Sequence, residues 1–139
     1  MDIRGFQVEE QDQVVTLWRA CGLVVPHKDP DKDIRRKLEV DPDLFLDGTL
    51  DGQVVASVMG GYEGHRGWIN YLAVSPDHQR KGFGRQMMVA IERAIAARGC
   101  PKINLQVREG NDQVVAFYKA LGYFPDHAIC LGKRIEHDV

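Results

Sequence analysis

Apolar residues return along the chain with two different periods, and the switches between them mark the elements. Ile3 to Val8 reads as a first strand. Val14, Leu17, Trp18 and Cys21 then recur at helical spacing, with Gly22 placed to end that helix, and Asp29-Pro30 offers a cap and a first-turn proline for a second helix carrying Ile34 and Leu38. Leu44 to Leu50, Val54 to Tyr62 and Trp68 to Val74 read as three strands, joined by the hairpin signal Asp51-Gly52 and by the looser turn Glu63-Gly64-His65-Arg66-Gly67. Phe83, Met87, Ile91 and Ile95 form an i, i+4 row in the best-defined helix, which Arg98 and Gly99 close. Ile103 to Val107 returns as a strand, Asp112 to Leu121 as a helix ended by Gly122, and Ala128 to Leu131 as a last strand.

This order predicts an α+β fold with a mixed sheet, antiparallel at its start and parallel where a crossover helix separates two strands. A chain of 139 residues, 44% hydrophobic and 27% charged, suits one domain over residues 1–139. No apolar run approaches a membrane span and the start lacks a secretory layout, so a cytoplasmic protein with no membrane partner is expected. Cys21, Cys100 and Cys130 are odd in number and widely spaced, which argues against a disulfide framework or a metal site. With a net charge of -2, nucleic acid is not an expected partner, and any anionic ligand has to be held locally.

One segment offers such a local arrangement. Gln79-Arg80-Lys81-Gly82-Phe83-Gly84 lies between a strand and the start of the long helix, where backbone N–H groups lack intrahelical partners and the helix dipole favours an anion. Gly82 and Gly84 allow close approach of the main chain to ligand oxygens, and Arg80, Lys81 and Arg85 add positive charge. A plain glycine-rich turn with a solvated basic face is the competing explanation. The segment is neither a Walker A loop nor a dinucleotide fingerprint, since Met87 stands where the latter needs its third glycine.

Gln79, Gly82 and Gly84 match the phosphate-binding signature of the GNAT superfamily of N-acetyltransferases, which the chain resembles. Asn111 and the run Phe117-Tyr118-Lys119-Ala120-Leu121-Gly122-Tyr123 reproduce a second family signature in the correct order. The resemblance covers essentially the whole chain and extends to small bacterial stand-alone, YpeA-like members. It implies a GNAT fold with six or seven strands, a central splayed parallel pair and about four helices. It also implies acetyl-CoA as cosubstrate and an amine acceptor that attacks the thioester directly, with no metal and no covalent enzyme intermediate.

Carried over residue by residue, the resemblance assigns cofactor contacts to Leu72, Ala73, Val74, Gln79, Arg80, Lys81, Gly82, Phe83, Gly84, Arg85, Asn111 and Tyr118, with Tyr118 also catalytic at the departing sulfur. The side chains of Phe83 and Phe117 read as core. Asn111 serves equally well as a helix cap. Gln106 stands where some relatives have a Glu base, so the base is unassigned; Glu63 and His65 are candidates acting through water. Trp18, the stretch Pro26-His27-Lys28-Asp29 and Tyr62 are candidates for lining the acceptor site, the acceptor itself is not specified, and a homodimer stays open. Two rival readings are a non-catalytic acyl-CoA sensor and, far behind it, a nucleic-acid binder using Arg80, Lys81 and Arg85.

Overall fold

Strands linked by short turns pair with their sequence neighbours, and the computed structural model, which describes residues 1–138, shows that outcome. The described chain divides into two units, Met1–Leu105 with Asp138 and Gln106–His137. The first holds a five-stranded sheet in the order β1 (Asp2–Gly5), β2 (Phe45–Leu50), β3 (Gln53–Tyr62), β4 (Gly67–Val74), β5 (Ile103–Leu105). The first four strands run antiparallel, and β4 and β5 are parallel. Helices α1 (Gln11–Ala20) and α2 (Pro30–Glu39) follow β1, and α3 (Phe83–Ala96) makes the crossover from β4 to β5. Asp29 caps α2 as its position suggested, accepting from the N–H groups of Asp31 at 3.0 Å and Lys32 at 3.2 Å.

The two faces of the sheet pack in different ways. On one, Val14, Leu17 and Trp18 of α1 and Ile34 of α2 bury against Phe45, Met59 and Ala73, side chain against side chain. On the other, α3 lies on glycines. A Cβ built on Gly60 would come within 2.8 Å of Ile91 Cγ1 and 2.9 Å of Ile95 Cδ1, and one on Gly67 within 2.9 Å of Ile95 Cγ2. Gly48 likewise faces Met87 Sδ at 3.1 Å. Because side chains alternate along a strand, Gly60 points opposite to Met59, which places α3 on the face away from α1 and α2. Gly60→Val therefore overpacks this interface, and a urea midpoint should record a loss of about 1–3 kcal/mol.

Three expectations need correction. The sheet has five strands, not six or seven. Ala128–Leu131 is not a strand: its unit, taken by itself, contains α4 (Asp112–Ala120) and no second strand to complete a ladder, and Ile129 and Leu131 stand 88% and 89% exposed. The first strand is also shorter than Ile3 to Val8. Phe6 N–H still bonds Phe45 O at 2.8 Å, but Val8–Glu10 has already turned into the 3-10 segment that leads into α1. No helix among the described residues is long and apolar enough to cross a membrane.

Candidate functional site

Strand β4 is irregular at its middle. Its register with β3 shifts between the pairs Ser57↔Ala73 and Met59↔Asn70, so that Tyr71 and Leu72 together oppose Val58. Tyr71 takes up the extra residue at φ 53, the left-handed region that a bulky side chain normally avoids. Parallel pairing with β5 ends at Ile69↔Leu105, so past the bulge the outer edge of β4 runs on without a strand partner among the described residues. Ala73 is buried and paired to Ser57. Ser75 N–H bonds Val55 O, which turns the Val74 carbonyl the other way, toward the open edge, and it accepts there from Gln79 Nε2 at 3.1 Å and from Cys21 Sγ at 3.2 Å. Gln79 thus links the loop back to β4 through its side chain.

The loop that follows has the geometry an anion needs. Arg80 at φ 64 and Gly82 at φ 82 both turn left-handed, and the first helical bond joins Gln86 N–H to Gly82 O at 3.1 Å. The N–H groups of Phe83, Gly84 and Arg85 precede that bond, and Gly82 provides no side-chain cap. They point out of the start of α3 beside exposed Arg80, Lys81 and Arg85. Nothing lies within 4 Å of the position a Gly82 Cβ would occupy, so the space in front of the loop is open. Phe83 is half-buried, with its ring 6.4 Å from that of His78.

The remaining candidates in this unit divide into structural groups and groups that reach the bulge. Trp18 is fully buried and donates from Nε1 to Ser57 Oγ at 2.9 Å, which makes it a core residue. Its ring stacks on Tyr71 at 3.9 Å between centroids. Lys28 Nζ lies 4.9 Å from the Tyr71 centroid, while the Tyr71 hydroxyl donates to Asp33 Oδ2 at 2.5 Å. Burial, and then the Asp33 carboxylate, push the Tyr71 phenol well above its ordinary range. Tyr62 donates to Gly64 O at 3.2 Å within its own turn. Glu63 Oε1 accepts from the backbone N–H groups of Arg66 and His65, which holds the carboxylate below its usual range and makes it a weak base.

Within the second unit, Asn111 occupies the N-cap position of α4 but its side chain makes no capping bond. The helix-cap reading of Asn111 is therefore not realised. Tyr118 meets Phe117 edge-on at 5.1 Å and Tyr123 at 5.8 Å, and burial pushes its phenol up to about 12. Gln106 Nε2 lies 2.5 Å from Cys130 Sγ. Tyr71, Asp33 and Cys21 are the site residues that the sequence reading missed. A left-handed tyrosine has no signature in residue type, and only the bulge exposes it.

Comparison with known proteins adds an independent line of support. The model of the acetyltransferase (GNAT) family matches residues 12–123. An acetyltransferase of Yersinia pestis is 47% identical over 135 residues, 97% of this chain and 96% of that one. One from Pectobacterium atrosepticum is 48% identical over 138 residues, 99% of this chain and 98% of its own. Among solved structures, the aminoglycoside N-acetyltransferase AAC(6')-Iy, in complex with the bisubstrate analogue CoA-S-monomethyl-acetylneamine, superposes with a TM-score of 0.78 at 17% identity, covering 96% of this chain and 97% of that chain. At that identity the likeness establishes the fold alone.

Proposed function

The chain belongs to the acetyltransferase (GNAT) family, and from that premise we propose that it acts as one N-acetyltransferase domain over residues 1–139, moving the acetyl group of acetyl-CoA to a primary amine by direct attack. The observation that carries this reading is the juxtaposition, within one unit, of free first-turn amides at Gly82–Arg85 and an unpartnered edge of β4. The diphosphate takes the amides of the loop Gln79–Arg85 and the charges of Arg80, Lys81 and Arg85. The pantetheine extends along Leu72, Ala73 and Val74 as an added strand would, with the Leu72 amide at the bulge as the donor to the thioester oxygen. Asn111 and Tyr118 are assigned to the pantetheine arm and the sulfur by the family pattern.

In the reaction the amine nitrogen bonds the thioester carbon, the C–S bond breaks, the sulfur leaves as thiolate and the new ammonium loses a proton to solvent. A phenol at about 12 facing a thiolate whose conjugate acid has a pKa of about 8.5 would give up its proton against roughly 5 kcal/mol. Tyr118 therefore acts as a hydrogen-bond donor to the leaving sulfur. Tyr118→Phe should lower kcat by about 10- to 100-fold and leave the KM for acetyl-CoA nearly unchanged. Its phenol should add no limb to the pH–rate profile below about pH 11.

With Glu63 tied into its own turn and Gln106 incapable of taking a proton, the acceptor's proton passes to His65 through water or to bulk solvent. The same two facts favour the rival reading of an acyl-CoA sensor. Incubation with acetyl-CoA and a panel of peptide N-termini, lysine side chains and small amines, scored by free thiol released, separates them. Tight binding with no thiol above the blank would establish the sensor.

A further inference from the structure

Tyr71 presents a conflict between a side chain and its backbone. An L-residue with a ring at φ 53 is disfavoured by roughly tenfold relative to glycine at the same position. Glycine, asparagine or aspartate would occupy the first position of such a bulge at lower cost. What offsets the strain is visible on the ring. Trp18 of α1 stacks on it with planes 13° apart, the hydroxyl donates to Asp33 of α2, and Lys28 from the connecting loop places its ammonium 4.9 Å from the centroid. Asp33 is held in turn by Arg36 at 3.3 Å, which also pairs with Asp138 at 2.8 Å. Contacts from α1, α2 and the loop between them thus converge on the one residue that breaks the β4 ladder.

We propose that Tyr71 is a positioning residue. Its side chain, clamped by Trp18, Asp33 and Lys28, fixes the bulge that carries the Leu72 amide into place against the thioester oxygen. The inference rests on the reading that acetyl-CoA lies along β4, and it adds a role for residues that reading leaves unused. The clamp acts on the acyl end of the ligand, whereas the diphosphate is held by the separate loop at Gly82. A variant that loses the left-handed bulge therefore loses the acetyl group's contribution and keeps the rest of the binding, whereas one that keeps the bulge without the clamp retains both.

The test compares Tyr71→Ala, Tyr71→Gly and the wild type, all as the full chain, by calorimetric titration with acetyl-CoA and with CoA. Both variants lose the same stacking and the same hydrogen bond, so both melting temperatures should fall, that of Tyr71→Ala by more because it keeps the left-handed strain that glycine relieves. They differ at the backbone, because glycine adopts the left-handed conformation freely and alanine does not. The expected result is that the preference for acetyl-CoA over CoA falls by about 3- to 10-fold in Tyr71→Ala and is largely restored in Tyr71→Gly, with the affinity for CoA itself little changed in either. Asp33→Asn, which keeps an acceptor for the hydroxyl, should retain most of the preference. Equal preferences in Ala, Gly and wild type, or equal losses in Ala and Gly, would overturn the assignment and leave Tyr71 as core packing. If neither ligand binds the wild type, the cofactor reading itself has failed, and the inference falls with it for a different reason.

Discussion

Gly82→Asp abolishes coenzyme A binding at accessible concentrations while leaving the fold intact. Apart from its own chain neighbours no atom lies within 4 Å of the new Cβ, and aspartate tolerates left-handed φ better than most residues, so the backbone strain at φ 82 should cost stability only about 1 kcal/mol. The carboxylate, however, stands where the proposed reading seats the diphosphate. At about 4 Å and an effective dielectric of about 20, one like-charge pair costs on the order of 4 kcal/mol, which after screening still corresponds to at least about 100-fold in Kd. Gly82→Asn has the same shape and no charge and should cost only about tenfold. Calorimetric titration of the two variants beside the wild type decides the matter. An unchanged Kd in Gly82→Asp would move the diphosphate elsewhere.

Stability of the wild-type chain falls between about pH 4 and pH 7, and Asp47→Asn removes that slope. Asp47 projects from β2 on the face covered by α1, opposite Arg4 of β1 and Ser57 of β3, and neither carboxylate oxygen has a hydrogen-bond partner. Burial, and next the nearby Glu10 carboxylate, raise its pKa to about 7, against a smaller opposing pull from Arg4. Arg4 is already engaged by Glu10 at 2.9 Å. The folded chain therefore holds a proton that the unfolded chain releases near pH 4. That proton favours folding fully at low pH, and its contribution is lost as pH rises to about 7. At about 1.4 kcal/mol per unit the penalty has an upper limit of roughly 4 kcal/mol. Chemical denaturation at pH 5 and pH 8 should show a difference of a few kcal/mol in the wild type that largely vanishes in Asp47→Asn. Parallel behaviour of the two proteins would show that Asp47 is ionised and solvated in the native state.

How far these features could be read in advance depends on whether they are local. The hairpin at Asp51-Gly52, with φ of 49 and 78, and the cap at Asp29 follow from residue type at the position itself, and both were legible. So were the Gly82 loop and the row of Phe83, Met87, Ile91 and Ile95, since helical spacing is a property of the chain alone. Asp47 was not. An acid in an alternating strand reads as a solvent-facing group, and only the arrival of α1 over that face buries it. Ala128–Leu131 failed for the complementary reason: a short apolar run marks a segment that can pair but provides no partner. The Tyr71 clamp draws on Trp18, Lys28 and Asp33, brought together by the way α1 and α2 fold back on the sheet, and no spacing rule connects them.

The glycine face of the sheet has a consequence for substrate length. With Gly48, Gly60 and Gly67 letting α3 bed directly onto β2, β3 and β4, helix and sheet are close-packed, and an interior packed this closely deforms little. In the proposed reading the helix start grips one end of the ligand and the β4 bulge the other, so the two jaws of this calliper are locked at a single opening. A thioester on a carrier shorter or longer than the natural arm can engage one jaw but not both, and discrimination by reach is built into the scaffold before any side chain inspects the acyl group.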